Sequence, residues 1–443
     1  MGLLFLILFT LAEIALVVLT FTKFREKAAW RKNRVIIRAA EALLLLGIIL
    51  VPAVHMKWRF FGVMMVLAVR LLIAGIVWLV MRKKSNGNRK KPWTIINCVV
   101  SVFLIAFALV PTFIFSNYNG LPTTGEYAVK QSDAILVDES RVDTFESDGS
   151  HVEVPVHFYY PDTTEGNFPL VVFSHGAFGY YQSNYSTYAE LASNGYVVVA
   201  LDHPHHAVFS KNTDGNIVTV DQQFINDAMV IGGGEEIDNE MVYSVTKDWI
   251  KLRTADESFV IDSINEAKKS GAFSDAWHAD DDTLLLSVIN MTDTDKIGAM
   301  GHSLGGAAGV ELGRERNDIK ALIDLDGTAL GEITDVKDGK YVGDPEPYPV
   351  PLLVFVHGAT SDDGITENMV NNAKDGKMVF CPKANHMDFT DLSMLSPFFS
   401  NMLSGKSEVN SEQFMQNING AVLNWFDYYL KNEGALSVQA QYK

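Results

Sequence analysis

Cysteine is nearly absent: the 443 residues include two, Cys98 and Cys381. Cys98 sits in an apolar run and Cys381 in an expected core strand, so no disulfide is expected and the fold must rely on its core. A body of this size can bury ~75% of the surface its unfolded chain exposes, so no staple is needed. Basic charge is also short, with 36 Lys and Arg against 53 Asp and Glu and a net charge of −17. That balance excludes nucleic acid as a partner, because phosphate binding needs cations. Metal-ligand spacing is missing. His203, His205 and His206 are interrupted by Pro204, and no carboxylate stands at ligand spacing from them, so they read as structural or site-edge residues. Asp280, Asp281 and Asp282 lack the spaced ligands and glycine of a calcium loop. No metal, cofactor, internal repeat or low-complexity tract is expected.

The charge is unevenly placed. Residues 1–116 hold sixteen Lys and Arg against Glu13, Glu26 and Glu41, a balance of +13, which leaves −30 to the remainder. The same segment contains four apolar runs, near 2–22, 35–54, 61–81 and 94–116. A membrane span needs ~20 such residues, so a four-helix transmembrane region is predicted over 1–116. The first run has no basic flank before it and no small-residue cleavage site ahead of Lys23, so it reads as retained rather than as a signal peptide. Lys23–Arg34 and Arg82–Lys91 carry six basic residues each, against Lys57 and Arg59 in the turn between. Short basic loops stay in the cytoplasm, which puts the amino terminus and everything after residue 116 outside it. Buried charges in the spans need partners. Glu13 is expected to pair with Arg70, and Arg38 to snorkel toward the interface.

Residues 117–126 are turn formers and mark a linker, at most ~35 Å long. Beyond it, 134–136 and 152–160 read as early strands. Continuous apolar runs follow at 170–174, 196–200, 297–300, 321–324, 352–356 and 378–380, separated by segments long enough for helices. Buried parallel strands have this pattern, so 127–443 is predicted to be an α/β domain, mostly parallel, with helices on both faces and ligands at the strands' carboxyl ends. The insertion 205–295, helical over 241–269, is a candidate lid.

At the end of one such strand stands Gly301-His302-Ser303-Leu304-Gly305, followed by Gly306, Ala307 and Ala308. A G-x-S-x-G turn between strand and helix holds a serine hydroxyl out of the sheet, which makes Ser303 the candidate nucleophile. A serine needs an imidazole to take its proton and a carboxylate to orient that imidazole, in the chain order Ser, Asp, His. His386, in the loop after the last strand, fits the base; His357, ending a strand, fits less well. Asp326, Asp362 and Asp363 are candidates for the acid, with Asp324 in support. Two backbone N–H groups are needed for the developing oxyanion. Leu304 supplies one, and Ala177 in the Gly-rich loop His175-Gly176-Ala177-Phe178-Gly179 supplies the other. Gly176, Phe178, Tyr180 and Tyr181 are candidates to line the substrate pocket.

Together these residues resemble the platelet-activating-factor acetylhydrolases of secreted or lipoprotein-associated type, within the α/β-hydrolases. The resemblance rests on Gly125-Glu-Tyr127, Val154-Pro-Val-His-Phe-Tyr-Tyr-Pro161, Phe173-Ser-His-Gly176, Leu191-Ala-Ser-Asn-Gly-Tyr196, Arg253-Thr-Ala-Asp256, Gly301–Gly306, Leu325-Asp-Gly327 and Asn385-His386. It implies an α/β-hydrolase fold, Ser303, Asp326 and His386 as triad, Leu304 and Ala177 as oxyanion donors, and metal-free cleavage of short or oxidised acyl esters. It favours Asp326 as the acid; similarity to cutinases and dienelactone-hydrolase-like proteins would move the acid toward Asp362 or Asp363. The expectation is a multi-pass cell-membrane serine esterase with its domain outside the cytoplasm, acting on an ester or lipid. An acyltransferase with the same triad and a non-catalytic membrane receptor or scaffold are the alternatives. Oligomeric state is unreadable.

Overall fold

The computed structural model describes residues 1–81, 83–84, 87–88, 90–232, 238–358 and 362–442. They form two compact units, one of residues 1–120 with 394–399, the other of 121–393 with 400–443.

The first unit is helical: α1 (Gly2–Thr22), α2 (Lys27–Ile49), α3 (Phe61–Met81), α4 (Lys91–Ala108) and the short α5 (Val110–Ile114). Among the described residues three helices are long and apolar enough to cross a membrane: Gly2–Thr22, Lys57–Met81 and Lys91–Ala108. The sequence predicted a fourth at 35–54. That run belongs to α2, which begins earlier and carries Lys32, Arg34, Arg38 and Glu41. The run at 94–116 is broken where Pro111 interrupts the helical N–H ladder. Glu13 accepts from Arg70, as expected, and also from Arg38. Arg38 does not snorkel: it is buried, and its guanidinium also reaches Glu41 at 2.7 Å.

The second unit is built on a nine-stranded sheet. In chain order the strands are β1 (Val129–Val142), β2 (His151–Pro161), β3 (Phe168–Ser174), β4 (Val197–Leu201), a hairpin of β5 (Phe209–Lys211) and β6 (Ile217–Thr219), β7 (Trp277–Ala279), β8 (Thr292–His302), β9 (Ile319–Leu325), a second hairpin of β10 (Ile333–Lys337) and β11 (Lys340–Gly343), β12 (Leu352–Val356) and β13 (Gly376–Phe380). The hairpins stand apart, and the sheet order is β13-β12-β9-β8-β3-β4-β2-β1-β7. β13 through β4 pair in parallel, and β2, β1 and β7 are antiparallel. All eight predicted strand segments lie in it. The three-residue edge strand β7 was too short to read.

Alternate side chains of the central strands enter two cores, which is why their sequences are apolar without a gap. After α6 (Tyr185–Ser193) and α7 (Gln222–Gly232) comes the long α8 (Asn239–Ser270), whose Val260, Ile261 and Ile264 pack with Leu170, Val172, Val197 and Val199. Val171, Phe173, Val198 and Ala200 pack with Tyr188 and Leu191 of the helix 185–193 and with Ile418, Val422 and Trp425 of the helix 411–426. Each large side chain so buried contributes about 1.5–3 kcal/mol.

Within the predicted insertion 205–295 the long helix α8 is a packed layer. Asp238 caps the first turn of α8 through the Glu240 N–H, Gly271 at φ 70° ends it, and eleven of its residues are buried. Ahead of it, the helix 222–232 buries only Phe224. The segment 233–237 lies outside the described residues.

Candidate active site

The parallel strands end level with one another. Ser174 pairs with Gly301, His302 with Leu325, and Leu325 with Phe355. The residues next in the chain, His175–Ala177, Ser303, Asp326 and His357, therefore emerge along one sheet edge.

Ser303 joins β8 to the helix 304–315 with φ 55° and ψ −125°. A non-glycine residue there is strained by about 1–3 kcal/mol, so the surroundings must enforce it. Its N–H is tied to Leu325 O at 3.0 Å. The turn closes only because its neighbours are small: a methyl on Gly305 would lie 2.1 Å from Ser174 O, and one on Gly306 2.0 Å from Asp324 Oδ1. The hydroxyl does not cap the helix it precedes.

Asp326 follows β9, also at positive φ (58°), with its N–H on Phe355 O at 2.9 Å. Its Oδ2 accepts from His386 Nδ1 at 2.6 Å and from His357 Nδ1 at 2.7 Å, and its Oδ1 from the His357 N–H at 2.8 Å. Burial alone would raise this carboxyl's pKa; the bonds from His357 and His386 outweigh it and hold the group below its ordinary range. His357 is raised in turn by the same bond. His386 opens a helical turn fixed by a capping box, in which Asn385 Oδ1 accepts from Asp388 N and Asp388 Oδ2 from Asn385 N. With Nδ1 committed to Asp326, its Nε2 is left as the basic nitrogen. Asp326, His357 and His386 also offer ligand atoms within 4.8 Å of one another, a spacing a metal ion could bridge.

Ala177, Ser303, Leu304, Asp326, His357 and His386 line one cleft of about 350 Å³. Ala228 and Ile231 of the helix 222–232, Trp249 of α8, and Leu330 make its apolar wall. Leu304 is the first residue of its helix, where an N–H has no intrahelical acceptor. Among the described residues the Ala177 N–H also has no intramolecular acceptor.

Other expected residues go elsewhere. Gly176 stands against Ser303, where an added methyl would lie 3.1 Å from the serine Cβ; Phe178, Tyr180 and Tyr181 do not line this cleft, since Tyr181 stacks on His157 at 3.5 Å in a separate cavity, Tyr180 packs on Phe209, and Phe178 on Phe224. Asp362 is buried under Thr366, accepting from its N–H at 2.9 Å, and Asp363 accepts from Tyr341 N at 3.0 Å; neither bonds a histidine among the described residues. Asp324 is buried below the site and holds Gly327 N at 2.8 Å. Burial pushes its carboxyl up to about 8.

One feature escaped the sequence. His357 ends a strand, and its place on the strand beside β9 is the signal that brings it to Asp326. The histidine run dissolves into separate contacts: His203 lies between Ser174 and Asp256, His205 bonds Asp143 at 3.1 Å, and His206 stacks on Phe224 at 4.0 Å.

The sequence profile of the platelet-activating factor acetylhydrolase, isoform II, family matches residues 126–439. A platelet-activating factor acetylhydrolase of Cavia porcellus is 25% identical over 295 residues, 63% of this chain and 61% of that protein. One of Canis lupus familiaris is 24% identical over 254 residues, 55% and 52% of the two chains. A probable 1-alkyl-2-acetylglycerophosphocholine esterase of Arthroderma benhamiae is 29% identical over 181 residues, 41% and 36%. The chain thus matches less than two thirds of each relative. Among solved structures, a ferulic acid esterase from Streptomyces cinnamoneus shares the fold, with a TM-score of 0.52 and 20% identity over 71% of this chain and 93% of its own.

Proposed function

That the chain belongs to the platelet-activating factor acetylhydrolase, isoform II, family is the premise from which we propose a membrane-anchored serine esterase acting on short-chain or lipid-derived carboxylic esters. The observation that carries the reading is the strained Ser303 in one cleft with His386, whose Nδ1 is fixed by Asp326.

His386 Nε2 takes the Ser303 proton as Oγ attacks the ester carbonyl. The resulting oxyanion is held by the N–H groups of Leu304 and Ala177, each worth about 10²–10³ in rate. The tetrahedral centre collapses, the alkoxide leaves with the proton from His386, and an acyl-enzyme remains. Water, deprotonated by the same imidazole, attacks the acyl carbon; collapse returns the Ser303 hydroxyl and releases the acid. Asp326 keeps the tautomer and steadies the transient imidazolium.

The cleft is near the lower end of the usual ~300–1,000 Å³ for ligand sites, which supports a short acyl group. No Lys or Arg lines it among the described residues, and the second part of the chain is strongly acidic, so neutral or zwitterionic esters are favoured over anionic ones. The apolar helices of the first unit support anchoring in a cell membrane, and the basic residues of 23–34 and 82–91 support an α/β unit outside the cytoplasm; tethering raises the local concentration of lipid-borne substrate. The test is fluorophosphonate labelling of the detergent-purified protein, followed by turnover of p-nitrophenyl esters of rising chain length. Labelling with turnover falling as the chain lengthens is expected; a wild type that neither labels nor turns over would end the proposal.

A further inference from the structure

Arg253 lies on α8 and is fully buried. Its Nη1 donates to His175 O, its Nη2 to Gly176 O at 3.5 Å, and its Nε to His206 Nδ1 at 3.3 Å. Gly176 O is further held by His175 Nδ1 at 2.7 Å and by Gly179 N at 3.0 Å. Three donors thus pull one carbonyl into the interior. The peptide bond between Gly176 and Ala177 is trans, so its C=O and N–H point in opposite directions. Drawing Gly176 O inward turns the Ala177 N–H outward, to the side where Ala177 borders the cleft and no intramolecular acceptor meets it among the described residues.

We propose that Arg253 is a positioning residue for the oxyanion hole: by clamping the carbonyls of His175 and Gly176 it fixes the direction of the Ala177 N–H. The inference rests on the esterase reading above and adds a residue to it. The clamp is itself braced. His175 Nε2 accepts from the His203 N–H at 3.3 Å, which leaves the proton on Nδ1 for Gly176 O. His203 is in turn locked between Ser174 Oγ and Asp256 Oδ2, each at 2.8 Å. Burial brings the guanidinium pKa down to about 9, opposed by the carboxyls of Glu257 and Asp256 beside it. A lysine has a charge and a stem but no fork, so it cannot reach both carbonyls and His206 together.

Arg253→Lys and Arg253→Ala test this against p-nitrophenyl acetate and a methyl trifluoromethyl ketone. The ketone accepts Ser303 Oγ at its carbonyl carbon; the hydroxyl proton passes to His386 and the carbonyl electron pair becomes an alkoxide in the hole. Loss of one aligned donor predicts kcat lower by roughly 10²-fold and ketone Ki higher by a similar factor, with KM within about threefold. Added guanidinium should restore part of both in Arg253→Ala. Folded variants that keep wild-type kcat and Ki, or that change KM and leave Ki alone, would overturn the proposal. So would failure of both to fold, which would make the residue structural only. Absence of turnover and labelling in the wild type would instead remove the esterase reading, so the two failures are distinct.

Discussion

The α/β unit contains two Ser, His, Asp sets. In one, Ser174 Oγ meets His203 Nε2 and His203 Nδ1 meets Asp256, each at 2.8 Å. In the other, His386 Nδ1 meets Asp326 at 2.6 Å and Ser303 shares their cleft. By hydrogen bonding alone the first is the better relay. It is nevertheless sealed, with side chains at most 1% exposed, and Ser174 sits in regular strand. Ser303 is at φ 55°, and backbone N–H groups flank it without partners of their own among the described residues. What separates a nucleophile from a structural hydroxyl here is access, backbone strain and empty donors, whereas the bonded succession is common to both.

The largest expected effect lies in exchanging the two serines. Ser303→Ala should abolish fluorophosphonate labelling and lower turnover by ~10⁴–10⁶. Ser174→Ala should retain labelling and lose about 1–3 kcal/mol of stability, because it leaves His203 Nε2 unpaired in the interior. Labelling that survives Ser303→Ala and vanishes with Ser174→Ala would reverse the comparison. The carboxylates come next. Asp326→Asn should reduce kcat by ~10⁴ through the wrong His386 tautomer, while Asp362→Asn and Asp363→Asn leave it within a few-fold; kcat values for the three variants decide between the acids.

The two imidazoles of the comparison also differ in how pH reaches them. Burial, with Arg253 and Arg141 nearby, holds His203 well below its ordinary pKa, so it stays neutral in the fold. The unfolded chain protonates the same ring below about pH 6.5. The contribution is therefore complete above 6.5 and lost as pH falls, by about 2 kcal/mol at pH 5. His203→Gln cannot titrate, so its stability deficit at pH 7.5 should shrink by that amount at pH 5 in paired urea unfolding curves. A deficit independent of pH would mean that the buried ring is not held neutral.

Much of the cleft was legible because its parts obey local rules. A serine between small residues after an apolar run must stand on a sharp turn, and a histidine after the last strand can only emerge at the carboxyl edge. The helix count was less legible, since the apolar run 35–54 gave no sign that its helix begins at Lys27 and carries Lys32, Arg34, Arg38 and Glu41, with Arg38 paired to Glu13 and Glu41. The sealed set was invisible because Ser174, His203 and Asp256 come from two strand ends and a helix, and only register and helix phase bring them together. Tyr180 and Tyr181 misled for a related reason. Sequence gave their distance from the glycine loop but not its direction, and the loop turns them toward Phe209 and His157.

The smallest effect concerns the one residue the cleft set has and the sealed set lacks, a second imidazole on the acid. His357 is 45% exposed, its ring lies 6.2 Å from that of His386, and its bond to Asp326 raises its pKa, so it carries positive charge to higher pH than an ordinary histidine. Positive charge there opposes formation of the His386 imidazolium as the serine proton moves. His357→Gln keeps a donor for Asp326 and removes that charge, so imidazolium should form more readily. The acidic limb of the kcat/KM profile should then move to higher pH by less than about one unit, with kcat at pH 8 changed by under about tenfold, because an exposed charge is screened by solvent. An acidic limb that stays in place would show that His357 acts on Asp326 through hydrogen bonding alone, and the two sets would then differ in exposure and strain but not in the electrostatics of their acids.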